Sequence, residues 1–367
     1  MKPITVYIGT YTRRESFVDG KAEGIYAYRL DPSTGALTYA ATVRDVVNPS
    51  FLTVGLLGDR LYAVNEITGD HGPHGTVSAF AIDPETGGLT FLNKQSSNGL
   101  APCYVSVDGT GRYVLVANYE SGSLCVLPVQ ENGRLGEATD VVQLHGSGPN
   151  PQRQEGPHAH MILPGPGGQT LFAVDLGTDR IMLYHLDRER GKLVPADPPW
   201  IQLPAGTGPR HLTFHPNGRV AYVISELQST VTVLRYDAGR NRLEQVQTIS
   251  TLPIDFEGEN LGAEIAVAPS GRFAYASNRG HNSIAIYEVD QASGELALIG
   301  HEPSQGAGPR FFTIDPTGTL LLVANQDSDT VVTFRIDQDT GELAATGHVM
   351  DVPTPVCLRL LQLEDRV

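Results

Sequence analysis

Short apolar runs separated by tight polar turns repeat along the whole chain. Runs such as Ile25-Tyr26-Ala27-Tyr28-Arg29-Leu30 and Val331-Val332-Thr333-Phe334-Arg335-Ile336 alternate with period two, which predicts strands. Each leads into an Asp-x-x-x-Gly-x-Leu turn, at 31–37, 83–89, 187–193, 290–296 and 337–343. Looser copies at 130–135 and 237–243 bring the count to seven. The Asp and Gly content of the turn predicts a hairpin. Ahead of it in each unit stand two further apolar strands joined by a Gly turn, as at 105–117, 212–223, 265–276 and 312–324. Four strands in about 45–55 residues is the period of a β-propeller blade. No helical period occurs.

The ends of the chain complete the pattern. Residues 4–10 read as the second strand of a unit that lacks its first, and residues 355–361 read as that missing strand. Pairing the two closes the circle and removes its last open edge. The expectation is one all-β domain over residues 1–367, a seven-bladed propeller with four antiparallel strands per blade and the C-terminal strand closing the first. Blades two to seven begin near Pro49, Pro102, Pro157, Pro209, Ala263 and Pro309.

With the first strand of each blade innermost, its start and the end of the second strand meet at one mouth of the channel. Ser50, Cys103, His158, Arg210, Glu264, Arg310 and Val356 fall at the first position, counted from the blade-opening proline or its equivalent. Tyr11, Glu66, Tyr119, Leu176, Glu226, Arg279 and Gln326 fall at the second. Asn65, Asn118, Asp175, Ser225, Asn278 and Asn325 recur from blade to blade, which predicts turn caps; a Ca²⁺-binding ring is the alternative. His158, Arg210, Glu226 and Arg279 are not repeated, so no repeat-wide structural need explains them, and they are the functional candidates. His160 and His211 are either buried histidines or members of the same site. The Gly/Pro-rich loop 146–156 reads as a lid that turns Arg153 inward.

Charge narrows the partners. A net charge of −15, with no Lys/Arg block, excludes nucleic acid and anionic membranes. Only four of the 26 basic residues are lysines, so the positive charge is almost all guanidinium. No apolar run approaches the roughly 20 residues of a membrane span, and the N-terminus enters a strand pattern at once. Three unpatterned cysteines give neither a disulfide framework nor a zinc site. GxSxG, phosphate-loop, HExxH and CxxC motifs are absent. A cytoplasmic location, no metal, no cofactor and no obligatory protein partner are expected.

In sequence the chain resembles the lactonase family of seven-bladed propellers, also called the cycloisomerase 2 family. That family includes propeller-type 6-phosphogluconolactonases and fungal carboxy-cis,cis-muconate cyclases. Tyr7-Ile8-Gly9-Thr10-Tyr11-Thr12, Asn48-Pro49-Ser50, Arg153-Gln154-x-x-Pro157-His158-x-His160, Gly208-Pro209-Arg210-His211, Ser225-Glu226-Leu227, Asn278-Arg279-Gly280-His281 and Gly308-Pro309-Arg310 carry the likeness. The resemblance implies a small anionic sugar-lactone substrate, foremost 6-phospho-D-glucono-1,5-lactone in carbohydrate metabolism. It implies His158, Arg210, Glu226 and Arg279 as catalytic groups, with Arg153, His160, Arg310 and Glu66 binding substrate. In this scheme Arg210 and Arg279 hold anionic groups and His158 is the general base. Glu226 orients the imidazole or acts as base itself. A carboxymuconate cycloisomerase and a non-catalytic interaction platform are the competing readings.

Overall fold

The computed structural model describes residues 4–362. Within them seven four-stranded antiparallel sheets form the blades of a propeller. The helical content is two 3₁₀ turns, Gly69–His71 and Pro166–Gly168. Blade one takes its innermost strand from the C-terminus: Pro355–Gln362 pairs with Ile4–Thr10, followed outward by Gly24–Leu30 and Leu37–Arg44. Ile4 lies opposite Gln362 and Ile8 opposite Leu358, so the closure expected from the sequence is present.

Burial explains the two textures of the strands. Second strands such as Tyr113–Asn118, Val220–Ser225 and Leu320–Asn325 are buried at every residue, because neighbouring blades cover both faces. Near-continuous apolar runs follow from that. Fourth strands such as Lys192–Gln202 and Leu343–Asp351 edge the disc and are largely exposed. Blade three ends in the shortest of these, Asp140–Gln143.

The turn signature also ties blades together. Its aspartates cap the turn: Asp31, Asp83, Asp187, Asp237, Asp290 and Asp337 each accept backbone N–H bonds from residues just ahead. Its carbonyls receive a tyrosine from the preceding blade. Tyr7 donates to Gly87 O at 2.7 Å, Tyr222 to Gly294 O at 2.9 Å and Tyr275 to Gly341 O at 2.9 Å. Gly341 has φ +76°, and a Cβ there would stand 2.4 Å from the Phe273 ring, so this glycine is required twice over.

The recurrent asparagines are structural. Asn65, Asn118, Asn278 and Asn325 donate through Nδ2 to Val47 O, Ser97 O, Thr251 O and Ser304 O, pinning the loop that enters each blade. They bind carbonyls rather than the N–H groups expected of caps. Asp175 alone of the series accepts from backbone N–H groups, those of His158 and Gly177. A hairpin of Arg14–Glu15 and Val18–Asp19, inserted into blade one, lies outside the repeat.

Removing residues 355–367 strips the inner strand from blade one and exposes the buried edge of Ile4–Thr10. The truncated chain should lose its cooperative thermal transition or melt well below the full-length protein. A cooperative melt at the full-length temperature would contradict closure as a condition of the fold.

Candidate active site

A cavity of about 610 Å³ opens at one mouth of the channel. Inner-strand residues Cys103, His160 and Arg310 line it, with Glu66, Tyr119, Glu226, Arg279 and Gln326 from the ends of second strands. A bulge aims the inner-strand groups. Pairing skips one residue between Pro102 and Tyr104, Ala159 and Met161, Pro209 and His211, and Pro309 and Phe311. The unpaired residues are Cys103, His160, Arg210 and Arg310, and a bulge turns such a side chain out of the ladder. This corrects the register expected for blade four. His160, not His158, is the counterpart of Arg210 and Arg310. His158 precedes its strand, where blades three, five and seven carry Ala101, Gly208 and Gly308; the shared backbone bonds fix that alignment.

The loop 146–156 folds against the mouth. Gln154 is fully buried and donates to Leu176 O and Asp179 Oδ1, at 2.9 and 2.8 Å. Its neighbours Arg153 and Glu155 both line the cavity.

Glu226 organises one half of the cavity. Its Oε1 accepts from Arg153, while Oε2 lies 2.8 Å from Arg279 Nη2 and 3.1 Å from Arg210 Nε. Burial alone would push this carboxyl up, but the guanidiniums of Arg279, Arg210 and Arg153 hold it well below the usual range. Arg210 lies behind Glu226 rather than on the cavity wall. Its Nη1 donates to Ala263 O at 2.6 Å, and burial with Arg310 and Arg279 close by lowers it to about 9. It therefore reaches the cavity only through the carboxylate it grips, which corrects its reading as a group touching substrate.

His158 stacks on Tyr119, with centroids 4.6 Å apart. Its Nδ1 is 3.0 Å from Tyr119 O and its Nε2 3.1 Å from Glu155 Oε1. Glu155 and the Tyr119 carbonyl thus orient the imidazole, in place of the Glu226 contact expected. On the opposite wall Glu66 accepts from Ser50 and from Tyr11 Oη, the latter at 2.9 Å. Tyr11 in turn accepts from Arg310 Nη2 at 3.3 Å. Phe17, at the hairpin tip, packs edge-on against Tyr11 and lines the cavity.

Sequence reasoning passed over Glu155, Tyr11, Tyr119 and Phe17 as site residues. Tyr11 and Tyr119 hold the same post-strand position as Glu226, which was a usable signal. Glu155 lies three residues before His158 in a loop, and Phe17 sits in an insertion that no other blade repeats.

The family model for the seven-bladed β-propeller lactonases matches residues 5–360. The chain belongs to that lactonase family. A 6-phosphogluconolactonase of Bacillus subtilis is 38% identical over 355 residues, 97% of each chain. A 6-phosphogluconolactonase of Formosa agariphila is 35% identical over 307 residues, covering 82% of this chain and 85% of its own. The periplasmic gluconolactonase of Pseudomonas aeruginosa has a similar structure, with a TM-score of 0.91 and 33% identity, over 99% of this chain and 100% of its own. The chain is accordingly a lactonase-type hydrolase. Among the described residues no helix is long and apolar enough to cross a membrane.

Beneath the lactonase cavity His211 Nδ1 meets Glu264 Oε2 at 2.9 Å. Burial raises Glu264 to about 7, while burial and Arg210 push His211 well below its usual range. Below about pH 7 the contact is therefore a neutral hydrogen bond rather than an ion pair. A carboxyl raised in the fold contributes stability below its unfolded value, and that contribution is lost as pH rises towards about 7. Glu264→Gln removes the titration. The variant's unfolding free energy should gain on wild type by about 3 kcal/mol between pH 4.5 and 7, then level off. A difference that stays flat across that window would show that Glu264 titrates normally.

Proposed function

We propose that this lactonase hydrolyses 6-phospho-D-glucono-1,5-lactone to 6-phosphogluconate in the cytoplasm, without a metal. The observation that carries the reading is a cavity lined by Arg153, Arg279 and Arg310 around an oriented histidine, in a chain of net charge −15. Guanidinium suits phosphate and a developing oxyanion, and it repels metal cations. The names of the Bacillus and Formosa relatives support the phosphorylated substrate. Three free, buried cysteines suit a reducing compartment, whereas the Pseudomonas neighbour is named periplasmic. The partner in this reading is the small anionic lactone alone, with no nucleic acid, membrane or protein.

In the proposed mechanism Nδ1 of His158 keeps its hydrogen on Tyr119 O, and water takes the place of the exposed Glu155 carboxylate at Nε2, whose lone pair then faces it. Water attacks the lactone carbonyl carbon as Nε2 takes its proton, and Glu155 stabilises the resulting imidazolium. Arg153 and Arg279 N–H groups meet the oxyanion. The ring C–O bond then breaks, and the leaving oxygen takes the proton from Nε2. Glu226, held by three cations, is too weak a base to compete with His158; it fixes the guanidiniums.

Freshly generated 6-phosphogluconolactone, assayed against its spontaneous opening beside a carboxymuconate, tests the reading; turnover of the carboxymuconate alone would replace it by cycloisomerisation. His158→Gln should lower kcat about 10²–10⁴-fold with little change in KM. Glu155→Gln should cost less, because it keeps a polar side chain beside Nε2 and removes only the charge that stabilises the imidazolium. A His158→Gln enzyme with wild-type kcat would remove His158 from the chemistry. Activity should survive exhaustive EDTA treatment; loss on chelation with recovery on adding Ca²⁺ or Mg²⁺ would overturn the metal-free scheme.

A further inference from the structure

Arg310 differs from the other guanidiniums of the cavity in having charge to spare. Arg153, Arg210 and Arg279 each form an ion pair with Glu226. Among the described residues Arg310 has no such pair, and its guanidinium makes a single hydrogen bond, from Nη2 to the Tyr11 hydroxyl. Arg210 occupies the equivalent bulge two blades earlier, yet its Nη1 is taken by Ala263 O and its Nε faces Glu226. Glu66 is one hydroxyl removed from Arg310: Tyr11 accepts from the arginine and donates to the carboxyl. That relay orients the Arg310 plane without neutralising it by direct contact.

We propose that Arg310 receives the phosphate monoester of the substrate, and so sets the preference for a phosphorylated over a plain sugar lactone. The inference rests on the lactonase reading above and adds where the anion is held. Arg153 and Arg279 are drawn on twice, by the Glu226 carboxylate that competes for their N–H groups and by the oxyanion of the reaction. Arg310 offers its remaining N–H groups with no such competitor. Planar, paired N–H groups match two phosphate oxygens, a geometry that lysine lacks. Phe17 against Tyr11 supplies an apolar wall on the same side, suited to the carbon face of a sugar.

The test compares wild type, Arg310→Gln and Arg310→Lys on 6-phosphogluconolactone and on unphosphorylated glucono-1,5-lactone, with inorganic phosphate titrated into each by calorimetry. In Arg310→Gln the ratio of kcat/KM for the two lactones should fall about 100-fold, chiefly through KM for the phosphorylated one. Arg310→Lys should recover part of it, and phosphate binding should be lost in the Gln variant. A parallel fall on both lactones, with the ratio unchanged, would overturn the assignment. So would unaltered phosphate binding in Arg310→Gln, or a wild type that binds no phosphate. A wild type that opens neither lactone yet binds phosphate through Arg310 would sink the substrate reading alone.

Discussion

The antiparallel ladder between Ile4–Thr10 and Pro355–Gln362 is the constraint on which the molecule depends. The groups around the cavity come from all seven blades: Tyr11, Glu66, Tyr119, His158, Glu226, Arg279 and Arg310 in order around the ring. Each sheet contributes one or two of them, and only a closed circle brings them to one mouth. The seam itself runs through the site. Tyr11 of blade one accepts from Arg310 of blade seven, and Thr354 N–H binds Asp329 while its hydroxyl donates to Tyr11 O. Opening the ladder would therefore disperse the chemistry before it unfolded any one blade.

Convergence of that kind creates an electrostatic problem, and Glu226 is its solution. Burying a guanidinium costs several kcal/mol unless it is paired and hydrogen-bonded. Arg153, Arg210 and Arg279 share one carboxylate, so their half of the cavity keeps a positive excess after pairing. The pairing also favours the ionised form of Glu226, because its carboxyl is held well below the ordinary range. The same field keeps His160 and His211 neutral, with burial as the larger cause. His158, stacked on Tyr119, stands apart from these two histidines in having a backbone carbonyl at Nδ1 and the exposed Glu155 carboxylate beside Nε2. That difference, more than its type, separates it from the other two.

Much of this was legible in the residues. The Asp-x-x-x-Gly-x-Leu turn fixes the blade count because a hairpin with a capped aspartate and a positive-φ glycine has few alternatives. His158, Glu226 and Arg279 stood out because they break a repeat whose neighbours are Val, Ala and Asn. What the repeat could not convey was side-chain direction. Arg210 and Arg310 share a motif and a bulge, yet one lies behind Glu226 and the other lines the cavity. The two-residue shift of blade four escaped notice because Pro157-His158 mimics Pro209-Arg210, and only strand pairing distinguishes them. Glu155 and Phe17 belong to segments outside the repeat, where periodicity carries no information.

The bulge explains why deviations from the repeat gather at this mouth. An inner strand must keep Val105, Leu212 and Phe312 buried against the neighbouring blades, so most of its positions accept only apolar residues. The bulged residue has no cross-strand partner, and its side chain leaves the pleat. Replacing it changes no ladder bond, although Cys103 and Arg210 are themselves buried and touch the neighbouring blade. Cys103, His160, Arg210 and Arg310 occupy that one position in four blades, with chemistry as different as a thiol, an imidazole and two guanidiniums. The ladder thus imposes no single residue type there, and the field of Glu226, Glu66 and the arginines decides what each group does.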